Sequence, residues 1–386
     1  MHISQPQIKT SKNYEIYTVE VQWKNEKLNL WYTVENLFGK SLSEYSDAAL
    51  IGLLIPAMHS GEDIHIEGKI SEILYFNINQ SLQTVLQLII PSLNKIKIYA
   101  DNIECQKNES YKNLGVATGF SAGVDSYSVL ADYYYSSVDV PKDIKCTHLL
   151  FNNVGSHGIG GEQLWNKRYT RLAPIAEMLG MPFLKINSNL DSFYSNEIGF
   201  QQTHTLRNTS CSLVIQTEIH QYLYASTFKY QDIFVGSSYD IAYSDLITMP
   251  LLKSNSLNCI SCGSEYSRVQ KTLRIAELPI SYRNLDVCVN PKNSTNYTNC
   301  SKCWKCLRTL ATLDFAGLLD LYSESFDLQI YKQLRRDYLS QILKSNDPLL
   351  LEVADLAKKN KILVSAPPHT IYSALNRILE LARLKF

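Results

Sequence analysis

An excess of charge of either sign is missing from this 386-residue chain. Lys plus Arg and Asp plus Glu each number 37, so the formal net charge is zero, and no long basic run breaks the balance. A protein that grips RNA or DNA chiefly through phosphates needs an excess of cations, so nucleic acid is argued against as a partner. Long apolar runs are missing too. No stretch approaches the roughly 20 apolar residues that span a bilayer, and segment 1–16 has no apolar core of the kind a secretory leader carries. A cytoplasmic protein without a membrane partner is the expectation. Charged residues make up only 19% of the chain against 45% apolar, which excludes disorder and leaves enough to bury a core. Two nucleotide signatures are absent: neither G-x-x-x-x-G-K-[S/T] nor G-x-G-x-x-G occurs.

The first hundred residues open β-rich. Tyr17, Val19, Val21 and Trp23 alternate with Thr18, Glu20 and Gln22, the period of a half-buried strand. Asn25-Glu26-Lys27 offers a turn, and 28–34 reads as the partner strand of a hairpin. Ser46 or Asp47 fits the cap of a short helix that Pro56 follows, 70–90 carries the apolar residues of a longer helix, and 95–99 returns to a strand. These predict an α+β accessory domain over 1–110, with the polar run 106–110 as its exit linker. From Leu114 the texture changes. Short apolar strands at 116–120, 147–151, 183–186 and 232–235 alternate with helices around 125–137, 162–180 and 208–226. That alternation predicts an α/β fold with right-handed crossovers and a Rossmann-like parallel sheet covered on both faces, whose ligands bind at the carboxyl ends of the strands. The division is therefore 1–110, a nucleotide domain over 111–310, and a helical region over 311–386. In the last, Leu375, Ile378, Leu379 and Ala382 recur at helical spacing.

Directly after the strand ending at Phe120 comes Ser121-Ala122-Gly123-Val124-Asp125-Ser126, then a helical run. A tight turn between a parallel strand and a helix N-terminus presents several backbone N–H groups, enough to cradle a phosphate or pyrophosphate. Gly123 allows close approach, Ser121 and Ser126 supply hydroxyls, and Asp125 caps the helix or helps to hold magnesium. An ordinary strand-turn-helix junction is the plain alternative. Asn152, Asn153 and His157 follow the second strand, where adenine or substrate would lie; His157 is a general-base candidate or a satisfied loop histidine. Asp240 and Asp245 follow the fourth expected strand as candidates for magnesium or substrate, or as solvated loop residues.

Of nine cysteines, six fall in one region. Cys288, Cys300, Cys303 and Cys306 include two consecutive C-x-x-C steps, the spacing that closes a tetrahedral Zn2+ site of structural type; an iron–sulfur cluster is the competitor. Cys259 and Cys262 are a further C-x-x-C pair, open to metal, redox or plain loop roles.

The hexapeptide resembles the S-G-G-x-D-S signature of the PP-loop ATP pyrophosphatases, whose fold is adenine-nucleotide alpha-hydrolase-like. Ala122 stands where that signature has glycine, so the turn is expected to avoid positive φ there. Turn and cysteine cluster together resemble the 7-cyano-7-deazaguanine synthase (QueC) family over about residues 114–310. Arg207-Asn208 resembles its R-N pair near the nucleotide, 234–237 with Gly236 its later strand-and-glycine segment, and 268–272 with Lys271 its lysine-bearing helix near the phosphates. The upstream cysteine spacing is wider than the synthase's, and nothing in the family matches 1–110.

The resemblance implies a QueC-like ATP-dependent ligase that adenylates a small-molecule carboxylate, in the synthase a 7-deazaguanine carboxylate, releases pyrophosphate and forms a C–N bond. Catalytic roles fall to Ser121, Asp125, Ser126, Lys271 and Arg207. Nucleotide contacts fall to Ser121, Ala122, Gly123, Val124, Asp125, Ser126, Asn152, Asn208 and Gly236, with ATP and Mg2+ required and Zn2+ on Cys288, Cys300, Cys303 and Cys306. Extended relatives resemble QueC-like proteins of anti-phage operons, which implies a protein amine as acceptor through residues 1–110, while free ammonia and a small amine fit the chemistry equally. A homodimer stays open. The rivals are a tRNA-modifying PP-loop enzyme and a retired PP-loop scaffold that binds a partner protein.

Overall fold

The computed structural model describes residues 1–35, 41–105, 114–136, 138–158, 161–289 and 297–362. The linker expected at 106–110 and the helical pattern at 375–382 lie outside them. The chain divides into two units, Met1–Tyr266 and Ser267–Phe386.

In the first unit, β1 (His2–Ile3), β2 (Gln7–Thr10), β3 (Tyr14–Trp23) and β4 (Glu26–Glu35) begin the sheet. The expected β3–β4 hairpin is present, with Trp23 opposite Glu26. Its two-residue turn puts both Lys24 and Asn25 at positive φ, the turn whose twist matches paired strands. One face buries Tyr17, Val19, Val21, Leu30, Tyr32 and Val34. Helix α1 (Asp47–Ser60) is apolar nearly all round and buried accordingly. Pro56 lies inside this helix instead of after it. Proline removes the N–H that would serve the Gly52 carbonyl, and the Tyr194 hydroxyl donates to that carbonyl at 2.9 Å in its place. Next come β5 (Ile64–Ser71), α2 (Glu72–Asn77), a π-turn at Ile78–Leu82, α3 (Gln83–Ile89) and β6 (Ile98–Glu104). The first residues of the helix expected at 70–90 therefore belong to β5.

The succession continues with β7 (Gly115–Gly119), α4 (Val124–Tyr133), β8 (His148–Asn153), α5 (Glu162–Leu179), β9 (Phe183–Ser188), α6 (His204–Val214), β10 (Ile219–Ala225), α7 (Asp245–Leu251) and β11 (Asn258–Cys262). Two expectations fail here. The helix placed at 208–226 ends at Val214 and gives way to β10, and 232–235 forms no strand. Strand β10 has Gln221, Tyr222 and Leu223 buried in succession, so it lacks the alternation that marks a strand with one wet face.

Strands β11-β10-β7-β8-β9 lie in that order, every neighbour parallel. Strand β9 then pairs antiparallel with β4, and the sheet runs on through β3, β1, β5 and β6, with β2 on β3, to eleven strands in all. It is an α/β sheet of mostly parallel pairing flanked by helices. Strands from both sides of residue 110 share it.

The second unit is helical where described: α8 (Arg268–Ile275), α9 (Ile280–Asn284), α10 (Trp304–Phe315), α11 (Leu328–Ile342) and α12 (Pro348–Lys359). Its starts are legible in sequence. Ser267 and Gln270 form a reciprocal capping box on α8, Asp327 caps α11, and Asp347 caps α12 with Pro348 in the first turn. Among the described residues no helix is long and apolar enough to cross a membrane.

Candidate phosphate turn and cysteine centre

Strand β7 lies between β8 and β10, and the chain changes direction there. It steps from β7 to β8 to β9, then crosses back to β10 and on to β11. Right-handed crossovers put α4 and α5 on one face and α6 on the other, which opens a crevice at the carboxyl end of β7. The turn 121–126 sits at that point.

Phe120 ends the strand with its N–H on the Leu150 carbonyl at 2.8 Å, and its ring meets Tyr127 and Phe183 edge-on at 5.4 and 6.1 Å. The chain then bends through Ala122 at φ 56°, with the methyl group fully buried. This overturns the expectation that alanine keeps the turn out of positive φ. A left-handed residue with a Cβ costs roughly 1–2 kcal/mol, so the surroundings enforce it. Ser126 Oγ donates to the Gly123 carbonyl at 3.1 Å, and the Gly123 N–H reaches Ser121 Oγ at 3.4 Å. Ser121 is exposed, Gly123 and Asp125 are half-buried, and no side chain caps α4. With Gly123 at the N-cap, α4 begins without a capping side chain, the arrangement that suits an anion at a helix N-terminus.

The far wall comes from β8 and α6. Asn152 Nδ2 donates to Asn208 Oδ1 at 3.1 Å, and Asn208 Nδ2 to the His204 carbonyl at 2.8 Å. Asn152 Oδ1 is buried with no protein hydrogen bond. Arg207 is 2% exposed, donates to the Val154 carbonyl at 3.1 Å, pairs with Asp191, and stacks on Tyr194 at 3.6 Å. Its guanidinium thus braces the loop after β8. Gly155, at φ 110°, has to be glycine because a Cβ would collide with both Arg207 and Asp191. His157 contacts Ser156 Oγ at 3.1 Å, and burial, helped by the positive charge of Arg168, pushes its pKa down to about 4. It is a neutral, weakly basic loop histidine.

At the end of β10, His204 and Tyr224 meet at 2.6 Å, and His204 Nε2 faces Asp240 Oδ1 at 3.2 Å. Thr205 donates to Asp245 at 2.7 Å. Burial pushes the Asp245 carboxyl up to about 7. Gly236 lies in the irregular stretch after β10, not on a strand.

In the second unit, Cys288, Cys300, Cys303 and Cys306 are buried with their sulfurs all within 4.8 Å of one another. Tetrahedral metal–sulfur bonds of about 2.3 Å space four sulfurs about 3.8 Å apart, so the donor set fits a metal such as zinc. Cys303 caps α10 and Cys306 lies in its first turn. The Cys300 and Cys303 N–H groups donate to the sulfurs of Cys288 and Cys300, each at 3.4 Å. Asn299 fixes the loop, accepting from Val287 N–H at 2.9 Å and donating to the Leu285 and Ser325 carbonyls at 2.7 and 3.1 Å. Hydrogen bonds with Cys288 and Cys306 hold the Cys303 thiol well below the usual range, and those with Cys288 and Cys303 raise that of Cys306. Cys259 and Cys262 lie on β11 with their thiols toward the Leu252 and Ile260 carbonyls, and the four gathered sulfurs do not include them.

No protein-family model, curated protein or solved structure matches the chain. What stands on its own is the placement of residues. Ser121, Ala122, Gly123, Val124, Asp125 and Ser126 form the turn; Asn152 and Asn208 bond across the crevice; the four cysteines converge. Lys271, 1% exposed, lies on α8 of the second unit. The sequence reading passed over His204 and Tyr224. The only signal for His204 was its position three residues before Arg207, and Tyr224 fell in a stretch read as helix.

Proposed function

We propose that the protein is an ATP-dependent ligase that transfers AMP to a carboxylate, releases pyrophosphate, and passes the acyl group to a nitrogen nucleophile. The single observation that carries this reading is the turn 121–126. It lies at the switch point of five parallel strands, held in a strained backbone form with Gly123, which has no side chain, at the N-cap of α4. The five strands are read as an adenine-nucleotide alpha-hydrolase-like core. Strain of this kind persists where the surroundings enforce it and clusters at ligand clamps, which favours a working turn over a retired scaffold.

A carboxylate acylates poorly because oxide would have to leave; as an acyl-adenylate it has a good leaving group. The chain's work is positioning and charge stabilisation. Amides of 123–126 and the Ser121 hydroxyl receive the departing pyrophosphate, and their fixed dipoles need no reorganisation as its charge develops. Asn152 Oδ1, buried and unsatisfied, suits the amino group of adenine. Asp125, in the first turn of α4, is the side chain to hold magnesium, which when bound neutralises phosphate charge. Arg207 shapes the crevice through Asp191 and Val154. In the second unit the four cysteines hold a structural zinc with no open position.

The test is carboxylate-dependent ATP–pyrophosphate exchange, with 7-deazaguanine-7-carboxylate first in a panel of carboxylates. Ser121→Ala and Asp125→Ala are expected to lower it by about 10²-fold while the fold and zinc content stay intact. A wild-type protein that exchanges with no carboxylate refutes the reading.

A further inference from the structure

The group at the end of β10 is unused by the adenylation step, yet it is built as a directed chain. His204 opens α6, Tyr224 is the penultimate residue of β10, and Asp240 precedes the 3-10 turn at Ile241–Ser244. The β7–β10 register pairs Leu223 with Thr118, which sets Tyr224 level with Gly119, two residues before Ser121. Asn208, one turn along α6, links the same helix to Asn152. The group therefore borders the crevice where the acyl-adenylate would form, and both His204 and Asp240 keep a little exposure, 13% and 14% of their side chains.

Proton positions follow from the partners. Asp240 Oδ1 already accepts the Ala242 N–H at 2.9 Å and faces His204 Nε2, so it acts as a carboxylate acceptor and Nε2 carries the imidazole proton. Nδ1 is then the lone-pair side, and the Tyr224 hydroxyl, 2.6 Å away, donates to it. The order is carboxylate, imidazole, hydroxyl, with the hydroxyl carried by the strand that pairs with β7. It is the logic of an oriented base that activates an O–H group, here with a phenol.

We propose that Asp240, His204 and Tyr224 form a proton relay that serves the nitrogen nucleophile in the second half-reaction. The proposal rests on the adenylation reading and assigns a separate step of it. As nitrogen attacks the acyl carbon, the C–N bond forms. The bond from that carbon to the phosphate oxygen breaks, and AMP leaves with its electron pair. The surplus N–H proton passes to the Tyr224 oxygen while the phenol's own proton passes to His204 Nδ1, leaving an imidazolium opposite the Asp240 carboxylate. Tyr224 meets the nitrogen and is the catalytic residue; His204 and Asp240 act through it as positioning residues. Around His204 stand Tyr224 from β10, Thr205 with Oγ1 3.4 Å from Nδ1, Asp240 from the loop before the 3-10 turn, Asp245 of α7 through Thr205, and the Phe200 ring at 6.0 Å. Protonating His204 beforehand stops the relay, so amide formation has an acid limb that exchange lacks.

The experiment compares wild type with Tyr224→Phe, His204→Gln and Asp240→Asn in full-length protein, using 7-deazaguanine-7-carboxylate and ATP. Three rates are read: ATP–pyrophosphate exchange, turnover with ammonium, and turnover with hydroxylamine, whose less basic nitrogen gives an adduct acidic enough to shed its surplus proton to water. Tyr224→Phe and His204→Gln are expected to slow the ammonium reaction by about 10²-fold, with much smaller losses in exchange and with hydroxylamine. Asp240→Asn is expected to move the acid limb of the ammonium reaction. Equal losses in all three rates, or no loss with ammonium, overturn the relay while adenylation stands. A wild-type protein without exchange removes the acyl-adenylate and the relay together.

Discussion

The phosphate turn and the cysteine centre are built on opposite plans. The turn uses backbone groups at the edge of a sheet whose strand order creates the crevice, and the rest of the first unit holds its strained residue in place. The cysteine centre uses four buried side chains on loops and one helix end, with Asn299 bracing the loop through its amide. The first site is a product of the fold; the second helps to make the fold around it. Removing a ligand should therefore empty the first and undo the second.

That contrast is sharpest at the cysteines. Cys303→Ser, or prolonged chelation, is expected to abolish zinc binding and the cooperative unfolding of the second unit, a loss on the order of 10 kcal/mol of metal-linked stability. Protease digestion followed by mass spectrometry should place cleavage after residue 266 and spare the sheet. A folded, fully active, zinc-free variant would erase the distinction.

Sensitivity to rising pH tests the other side. Asp245 has a carboxyl raised to about 7 by burial, so its folded form holds a proton that the unfolded chain releases near pH 4. Its contribution is complete below pH 4 and fades as pH rises through 7, by up to about 4 kcal/mol. Asp245→Asn should flatten urea-unfolding midpoints of the first unit between those values. An unchanged pH profile would remove Asp245 as the cause.

The smallest effect is at Ala122. Ala122→Gly relieves a left-handed alanine and is expected to raise stability by about 1 kcal/mol in thermal unfolding. A fall in melting temperature would show that the buried methyl group outweighs the backbone cost.

Much of this plan was legible beforehand, for reasons that differ by element. The β3–β4 hairpin announced itself because one wet face enforces alternation, and the cysteine set because spacing alone limits which thiols can meet. The turn after β7 was marked by small residues between strand and helix, but its φ at Ala122 was hidden, since alanine by itself avoids that region and only tertiary surroundings can impose it. Strand β10 escaped because both its faces are covered. Pro56 was read as a helix end because the Tyr194 hydroxyl that replaces the lost donor lies far away in sequence. With β10 misplaced, His204 and Tyr224 had no reason to be paired.

The antiparallel seam between β9 and β4 has a metric consequence. Seven strand-to-strand steps separate β7 from β6, so at about 4.8 Å each the outer edge stands about 34 Å from the phosphate turn. Hydrogen bonds fix that separation, and no hinge within the sheet can shorten it. A macromolecule gripping β6 would have to extend about ten residues of free chain to bring a reactive nitrogen to the crevice. Reach, as much as affinity, would then decide which acceptors qualify.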